Sequence, residues 1–347
     1  MSVTIKDVAK KANVSPATVS RVIADSSSIS EKTKKKVRKV MEELGYYSNY
    51  NARVLVQKNT QTIGIVMKHS ASHTLNNPFF PEVLRGISSL CYKHEYSISL
   101  TTGETEEDIY EEVVRMVRSR RVDGVIVLYS KINDKVVPFL LESDFPFVVI
   151  GKPLSDTNRI MYVDNDNIQA AKEATEYIIT RGHEKIGFIG GDPNFQVVRD
   201  RLNGFQQAVN DHHLALDESY EKYFQFNQVQ ATQIVQAFLR MPKPPTAFVI
   251  TDDINALLVM LTLRDLNINV PEEISIISFN NTIISKLATP PMTSVDTQTY
   301  QLGFESAKCL LELINTPNIF KKSVIIPTII IERDTCMELV RTRRNGY

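Results

Sequence analysis

Apolar and polar positions in the first 23 residues fall at the helical period in two short runs. Ile5, Val8, Ala9 and Ala12 make one apolar stripe and Val19 and Val22 a second, with Asn13 between them where a tight turn needs positive φ. Thr4 is placed to cap the first run with its hydroxyl, with Asp7 in the opening turn; Ser15 caps the second, with Pro16 at its first position. A third run, residues 31 to 44, follows the cap Ser30. It turns Val37, Val40, Met41 and Leu44 inward and leaves Lys32, Lys34, Lys35, Lys36, Arg38 and Lys39 around the rest. The pattern predicts an all-α helix-turn-helix head whose second helix leaves Pro16, Ala17, Ser20 and Arg21 outward, as a helix in a DNA major groove requires. By spacing alone, any small helical hairpin would look the same.

Beyond Asn59 the period changes. Apolar runs of strand length, at residues 63–67, 97–100, 125–128, 147–150, 186–189, 223–226, 247–251 and 274–279, alternate with longer helical stretches. Continuous Ile/Val runs read as strands buried on both faces, and helices between them imply parallel crossovers. A body of this length exceeds one ordinary core, so the reading is an α/β body of two doubly wound parallel-sheet subdomains.

Charge adds the first functional hint. Residues 1–62 hold 12 Lys and Arg against 5 Asp and Glu, whereas the other 285 hold 28 against 35. The net charge of zero therefore hides a basic head on an acidic body, the footprint of a duplex-binding module. Catalysis finds no support. Gly187-Phe-Ile-Gly-Gly191 lacks dinucleotide-loop spacing and reads as a strand-to-loop turn, no Walker loop or nucleophile elbow is found, and the six histidines are scattered. No cofactor and no metal are expected. Cys91, Cys309 and Cys336 are odd in number and lack metal spacing, so they read as free thiols in a reducing cytosol. Without a signal peptide or an apolar run near ~18 residues, the expectation is a cytoplasmic protein that does not engage membranes.

The run Thr4–Ala9, the stretch Val14–Val22, Leu44-Gly45-Tyr46 and Ala52-Arg53-Val54-Leu55 resemble the LacI/GalR family of bacterial transcription regulators, and the resemblance extends through Val270-Pro-Glu-Glu, Pro291-Met-Thr and Glu332-Arg-Asp334. It implies a head at 1–48, a hinge helix and linker at 49–61, and an effector-binding and dimerisation body at 62–347. The body is periplasmic-binding-protein-like, with one subdomain at about 62–162 and 291–322 and the other at about 163–290 and 323–340. Thr4, Ser15, Pro16, Ala17, Thr18, Ser20 and Arg21 would meet DNA, joined by Asn49 and Arg53 in the hinge and by Leu55 as a minor-groove wedge. Many members have Pro-Asn where this chain has Ser48-Asn49, a less rigid start to the hinge. Without the family, Leu55 reads as an ordinary buried leucine.

Loops after strands in such folds hold ligands, and here they offer planar polar groups and aromatic rings suited to a neutral polyol. The resemblance assigns an effector cleft to Phe79, Phe80, Asp164, Arg199, Arg201, Asp252 and Asn280, the last replacing the family's usual Asp. Each has a plainer reading: Phe79 and Phe80 as core, Asp164 as a turn residue, Arg201 as a surface arginine. Asp253 reads as the cap of the next helix. Gly151-Lys-Pro153, Asn77–Phe80 and Phe279–Asn281 look most like the family's Gram-positive maltose-operon repressors, which implies maltose or a maltodextrin as effector. The partners expected are pseudo-palindromic double-stranded operator DNA, that sugar, and a second copy in a homodimer. Two alternatives stay open: a catabolite regulator of the same family with a phosphoprotein corepressor, and a sugar-binding protein without a DNA role.

Overall fold

The protein's computed structural model describes residues 3–46, 59–67, 75–215 and 217–339. The hinge positions Asn49, Arg53 and Leu55 lie outside them. The chain forms two compact units, Met1–Gln61 and Thr62–Tyr347.

In the first unit, α1 (Ile5–Ala12), α2 (Pro16–Ile23) and α3 (Glu31–Glu43) follow the three predicted runs. Asp7 closes the start of α1: its carboxylate accepts the Thr4 amide at 2.8 Å and the Thr4 hydroxyl at 2.7 Å. The threonine hydroxyl thus acts as a donor to the acid. Asn13 takes the left-handed turn at φ 51°, and the Ser15 hydroxyl accepts the Thr18 amide at 3.1 Å. The three helices close on Val8, Ala9, Ala12, Val19, Val22, Val37 and Val40. Lys34 departs from its expected place on the basic outer face. It is only 6% exposed, its stem packed inward and its ammonium 3.1 Å from both Asp25 and Glu31. Asp25 also holds Arg38 at 2.6 Å.

The second unit runs β1 (Thr62–Val66), α4 (Phe79–Lys93), β2 (Ser97–Leu100), α5 (Glu106–Arg118), β3 (Gly124–Val127), α6 (Val136–Glu142), β4 (Phe147–Ile150) and β5 (Met161–Asp164). It continues as α7 (Asn167–Ile179), β6 (Ile186–Gly190), α8 (Gln196–Asp211), β7 (Glu221–Tyr223), α9 (Gln228–Leu239), β8 (Ala247–Ile250) and α10 (Asp253–Asp265). The remainder is β9 (Ser275–Phe279), α11 (Ile283–Leu287), β10 (Thr293–Asp296), α12 (Thr299–Asn315), β11 (Ser323–Ile325) and β12 (Ile329–Ile331). Among the described residues two six-stranded sheets result, ordered β11-β5-β4-β3-β1-β2 and β12-β10-β9-β8-β6-β7. All pairs are parallel except β10 with β12.

Central strands β3, β4, β8 and β9 are buried at every residue, because helices cover both faces of each sheet. In the first lobe α4 and α12 share one core cluster and α5 and α6 another. In the second, α7 and α8 cover one face and α9 and α10 the other. The doubly wound reading therefore holds, with one antiparallel edge strand added.

The lobe boundaries fall elsewhere than expected. Strand β10 lies in the second sheet although 291–322 was assigned to the first lobe, and β11 lies in the first sheet although 323 onward was assigned to the second. The physical reason is that β10 is a buried polar strand. Thr293 and Ser294 are both 0% exposed; the Thr293 amide donates to Thr335 Oγ1 at 2.9 Å and the Ser294 hydroxyl to Asp253 at 2.8 Å. A strand whose inward groups are satisfied by hydrogen bonds carries no apolar run to read. Among the described residues no helix is long and apolar enough to cross a membrane.

Close helix contacts set both lobes. Gly86 and Gly303 bring α4 and α12 together, and Gly204 brings α8 onto α7, where an added Cβ would stand 2.1 Å from the Ile168 carbonyl oxygen. Gly204→Ala is expected to destabilise the body by about 3 kcal/mol, read from urea unfolding. A loss under about 0.5 kcal/mol would mean that the helix pair separates freely.

Candidate functional site

On the head, Thr4, Ser15, Pro16, Ala17 and Arg21 are exposed, and Thr18 and Ser20 partly so. Val19 and Val22 are buried beneath them, so the outward face of α2 is small and smooth apart from Arg21. Ser15 and Thr18 spend part of their hydrogen-bonding capacity on each other at 2.9 Å. Basic groups at Lys32, Lys35, Lys36, Arg38 and Lys39 remain exposed along α3.

In the body, the loops at the C-terminal ends of β3, β4, β5, β6, β8 and β9 meet in a cleft between the lobes. Its cavity volume is about 140 Å³. The first lobe brings Phe79 and Phe80 from the start of α4, their rings edge-on at 5.1 Å. Phe80 also belongs to the first lobe's core, so it meets both readings, core and cleft wall.

Arg201 is no surface arginine. It comes from α8, is 5% exposed and lines the cleft. Its Nε donates to Asn167 Oδ1 at 3.0 Å, another guanidinium nitrogen donates to the Thr251 carbonyl, and the cation lies 4.2 Å from the centre of the Phe279 ring. Burial lowers its pKa to about 10, against the pull of neighbouring carboxylates led by Asp252. It is charged at neutral pH but largely committed to protein partners.

Asp252 lines the cleft and caps α10, accepting the Asn255 amide at 2.8 Å and the Asn255 side chain at 2.9 Å. The expectation that Asp253 makes this cap is corrected. Asp253 is instead 1% exposed and accepts from the hydroxyls of Ser278, Ser294 and Thr282 and from the Thr282 amide, at 2.6 to 2.8 Å. Asn280 follows β9 with φ 97°, is 6% exposed, and accepts the Thr297 hydroxyl at 3.3 Å.

Of the expected effector residues, Phe79, Phe80, Asp164, Arg201, Asp252 and Asn280 share the cleft wall. Arg199 does not: it is exposed and not on that wall. Two positions along α8 from Arg201, it points roughly 200° round the helix. Sequence reasoning missed Tyr129, Asn167, Asp192 and Phe195, which also line the cleft. Applied to the loops after β3 and β6, the strand-end rule picks out Tyr129 and Asp192.

These two loops also tie the lobes together. The Gln196 amide donates to the Ser130 carbonyl at 2.9 Å and the Ile132 amide to the Asn194 carbonyl at 3.0 Å, with Lys131 and Phe195 forming an antiparallel bridge. Tyr129 and Phe195 stand edge-on beside it at 6.3 Å.

Asp164 ends β5, is 8% exposed, and accepts the amides of Lys152 and Asn165 and the Asn167 side chain at 2.8 to 2.9 Å. It therefore both holds the turn and lines the cleft. Burial, the largest influence, raises its pKa from 3.8 to about 6. Because the folded chain holds this proton more tightly, ionised Asp164 opposes folding in full above about pH 6, and that opposition fades as pH falls toward 3.8. From about pH 7.5 to about pH 5 the wild-type body is expected to gain about 1 kcal/mol relative to Asp164→Asn. Urea midpoints across the pH series measure this; a pH-independent difference between the two proteins would refute it.

Comparison with known proteins finds matches to both units of the chain. Residues 4–49 match the family described as bacterial regulatory proteins, lacI family, and residues 175–336 match a periplasmic binding protein-like domain. The chain is 37% identical to the HTH-type transcriptional regulator MalR of Staphylococcus xylosus, over 96% of this chain and 98% of that protein. It is 40% identical to MalR of Streptococcus pneumoniae, over 91% and 94% respectively. A crystal structure from Staphylococcus aureus, described as the "probable maltose operon transcriptional repressor malR", is 31% identical with a TM-score of 0.74, covering 80% of this chain and 98% of that one. With a helix-turn-helix head, two parallel-sheet lobes and relatives matched along nearly their whole length, the chain belongs to the LacI family of bacterial regulatory proteins: it is a DNA-binding transcriptional regulator and not an enzyme.

Proposed function

We propose that this regulator is a homodimeric, cytoplasmic repressor of maltose or maltodextrin utilisation genes, released from a pseudo-palindromic operator when a sugar fills the interlobe cleft. The observation that carries the reading is the cleft's charge and chemistry. Among the described residues, three carboxylates, Asp164, Asp192 and Asp252, line it against one guanidinium, Arg201, which already holds Asn167 and Thr251. Such a wall repels a phosphorylated ligand and offers acceptors to a neutral polyol, whose C–H faces suit Phe79, Tyr129 and Phe195. The names of the relatives point to the same sugar.

Release follows from differential affinity: a sugar that fits the closed lobes better than the open ones shifts the population, and the body's rearrangement acts on DNA through the hinge. On the head, Arg21 is the charged group on the outward face of α2, and Thr4, Ser15, Pro16, Ala17, Thr18 and Ser20 surround it. Because Pro16 and Ala17 offer bases few hydrogen bonds, the hinge residues Asn49, Arg53 and Leu55 share the work of specificity.

The test uses a duplex selected by the protein from a random-sequence pool. Maltose or maltotriose is expected to weaken its binding at least tenfold, a coupling within the usual range, while glucose 6-phosphate has no effect. Tighter binding with glucose 6-phosphate would replace induction by corepression. Arg21→Ala is expected to weaken the same duplex by about 1–3 kcal/mol and to leave maltose binding by calorimetry intact. Unchanged DNA affinity would remove Arg21 from the interface.

A further inference from the structure

The chain passes between the two sheets at three places: between β5 and α7, between β10 and α12, and between β11 and β12. One side chain touches all three. Asn165 lies in the first passage, and its amide nitrogen donates to the Thr297 carbonyl in the second at 3.1 Å and to the Ile326 carbonyl in the third at 2.9 Å. Both donor hydrogens are used, which fixes the orientation of the amide. Its main chain is pinned as well, the amide donating to Asp164 Oδ1 at 2.8 Å and the carbonyl accepting the Asn167 amide at 3.0 Å. Further ties run beside it. The Ile326 amide donates to the Asp164 carbonyl at 2.8 Å, and the Gln298 side chain donates to the Pro327 carbonyl at 2.8 Å. Asn165 is 5% exposed and forms part of the cleft wall.

Three separate connections, each with its own soft dihedrals, would let two lobes slide and twist as well as close. Cross-tied, they share one axis. We infer that Asn165 is the positioning residue that makes the three passages turn as a single pivot, so that a molecule drawing the cleft shut moves each lobe as a rigid body. The inference rests on the cleft being the effector site. No other side chain of this size serves equally well, because an apolar one leaves two buried carbonyls without this donor and Asp would set a negative charge against them.

Spin labels on the full-length chain test it, placed at Glu104→Cys and Lys243→Cys, one exposed position in each lobe, in a Cys336→Ser background. With Asn165 present, the ligand-free protein is expected to give one narrow lobe-to-lobe distance, which moves as a single population on adding maltose. Asn165→Ala is expected to widen the ligand-free distribution at least twofold and to reduce the effect of maltose on DNA affinity from about tenfold or more to below about threefold. A role confined to stability would lower the unfolding temperature yet leave both the width and the coupling of the folded protein unchanged, and that result overturns the inference. Gln298→Asn, too short to reach Pro327 but at ease at that residue's φ of 50°, cuts the network more gently and is expected to widen the distribution to a lesser degree. Should maltose move nothing in the wild-type protein, the effector reading fails, while the ligand-free width still decides the pivot.

Discussion

A chain that crosses between two parallel sheets three times has to bring the carboxyl ends of both sheets to face one another, and the rest of the body depends on that constraint. Parallel strands deliver their loops to one edge. When the edges of two sheets oppose, loops from β3, β4 and β5 meet loops from β6, β8 and β9 across a gap. Polar residues that each sheet alone would present to water are thereby gathered into one recess, and the helices behind them, held backbone to backbone at Gly86, Gly204 and Gly303, give the recess stiff walls.

Within the second lobe, two adjacent acids divide their work. Asp252 holds the first turn of α10 and faces the cleft, while Asp253 is taken inside, where four donors from β9, β10 and the loop after β9 satisfy its carboxylate. Burial still pushes its pKa up. A charge placed among hydroxyls rather than opposite a cation gives directional contacts to three segments at once. Asn280 lies in sequence between Ser278 and Thr282, two of the residues that donate to Asp253.

The head was legible because its determinants are local. A cap and its amide are three residues apart, the stripe repeats within two turns, and Asn13 announces its own left-handed turn. The body was legible in apolar central strands such as β3, β4, β8 and β9, although the short apolar β12 was not read, and Arg201 was reached through the family resemblance. Arg199 failed because similarity of residue type says nothing about which side of α8 it occupies. Strand β10 was passed over because Thr and Ser at buried positions leave no hydrophobic trace, and Asn167 and Phe195 because their meeting is a property of the assembled recess. Which of two neighbouring aspartates caps a helix was decided by where β9 and β10 lay, information carried some 25 to 41 residues downstream. Lys34 shows the same limit on the head, since a lysine drawn inward by Asp25 and Glu31 cannot be told by sequence from its exposed neighbours.

The backbone at Asn280 has one more implication. With φ at 97°, the position excludes β-branched and bulky residues and tolerates few beyond Gly, Asn and Asp. Drift there is therefore channelled. Gly would surrender the group facing the cleft, whereas Asn and Asp exchange by a single base change and keep the same shape. The loop thus permits a neutral amide and a carboxylate to replace one another without being rebuilt, and the charge of the cleft wall can change at this residue in one mutational step.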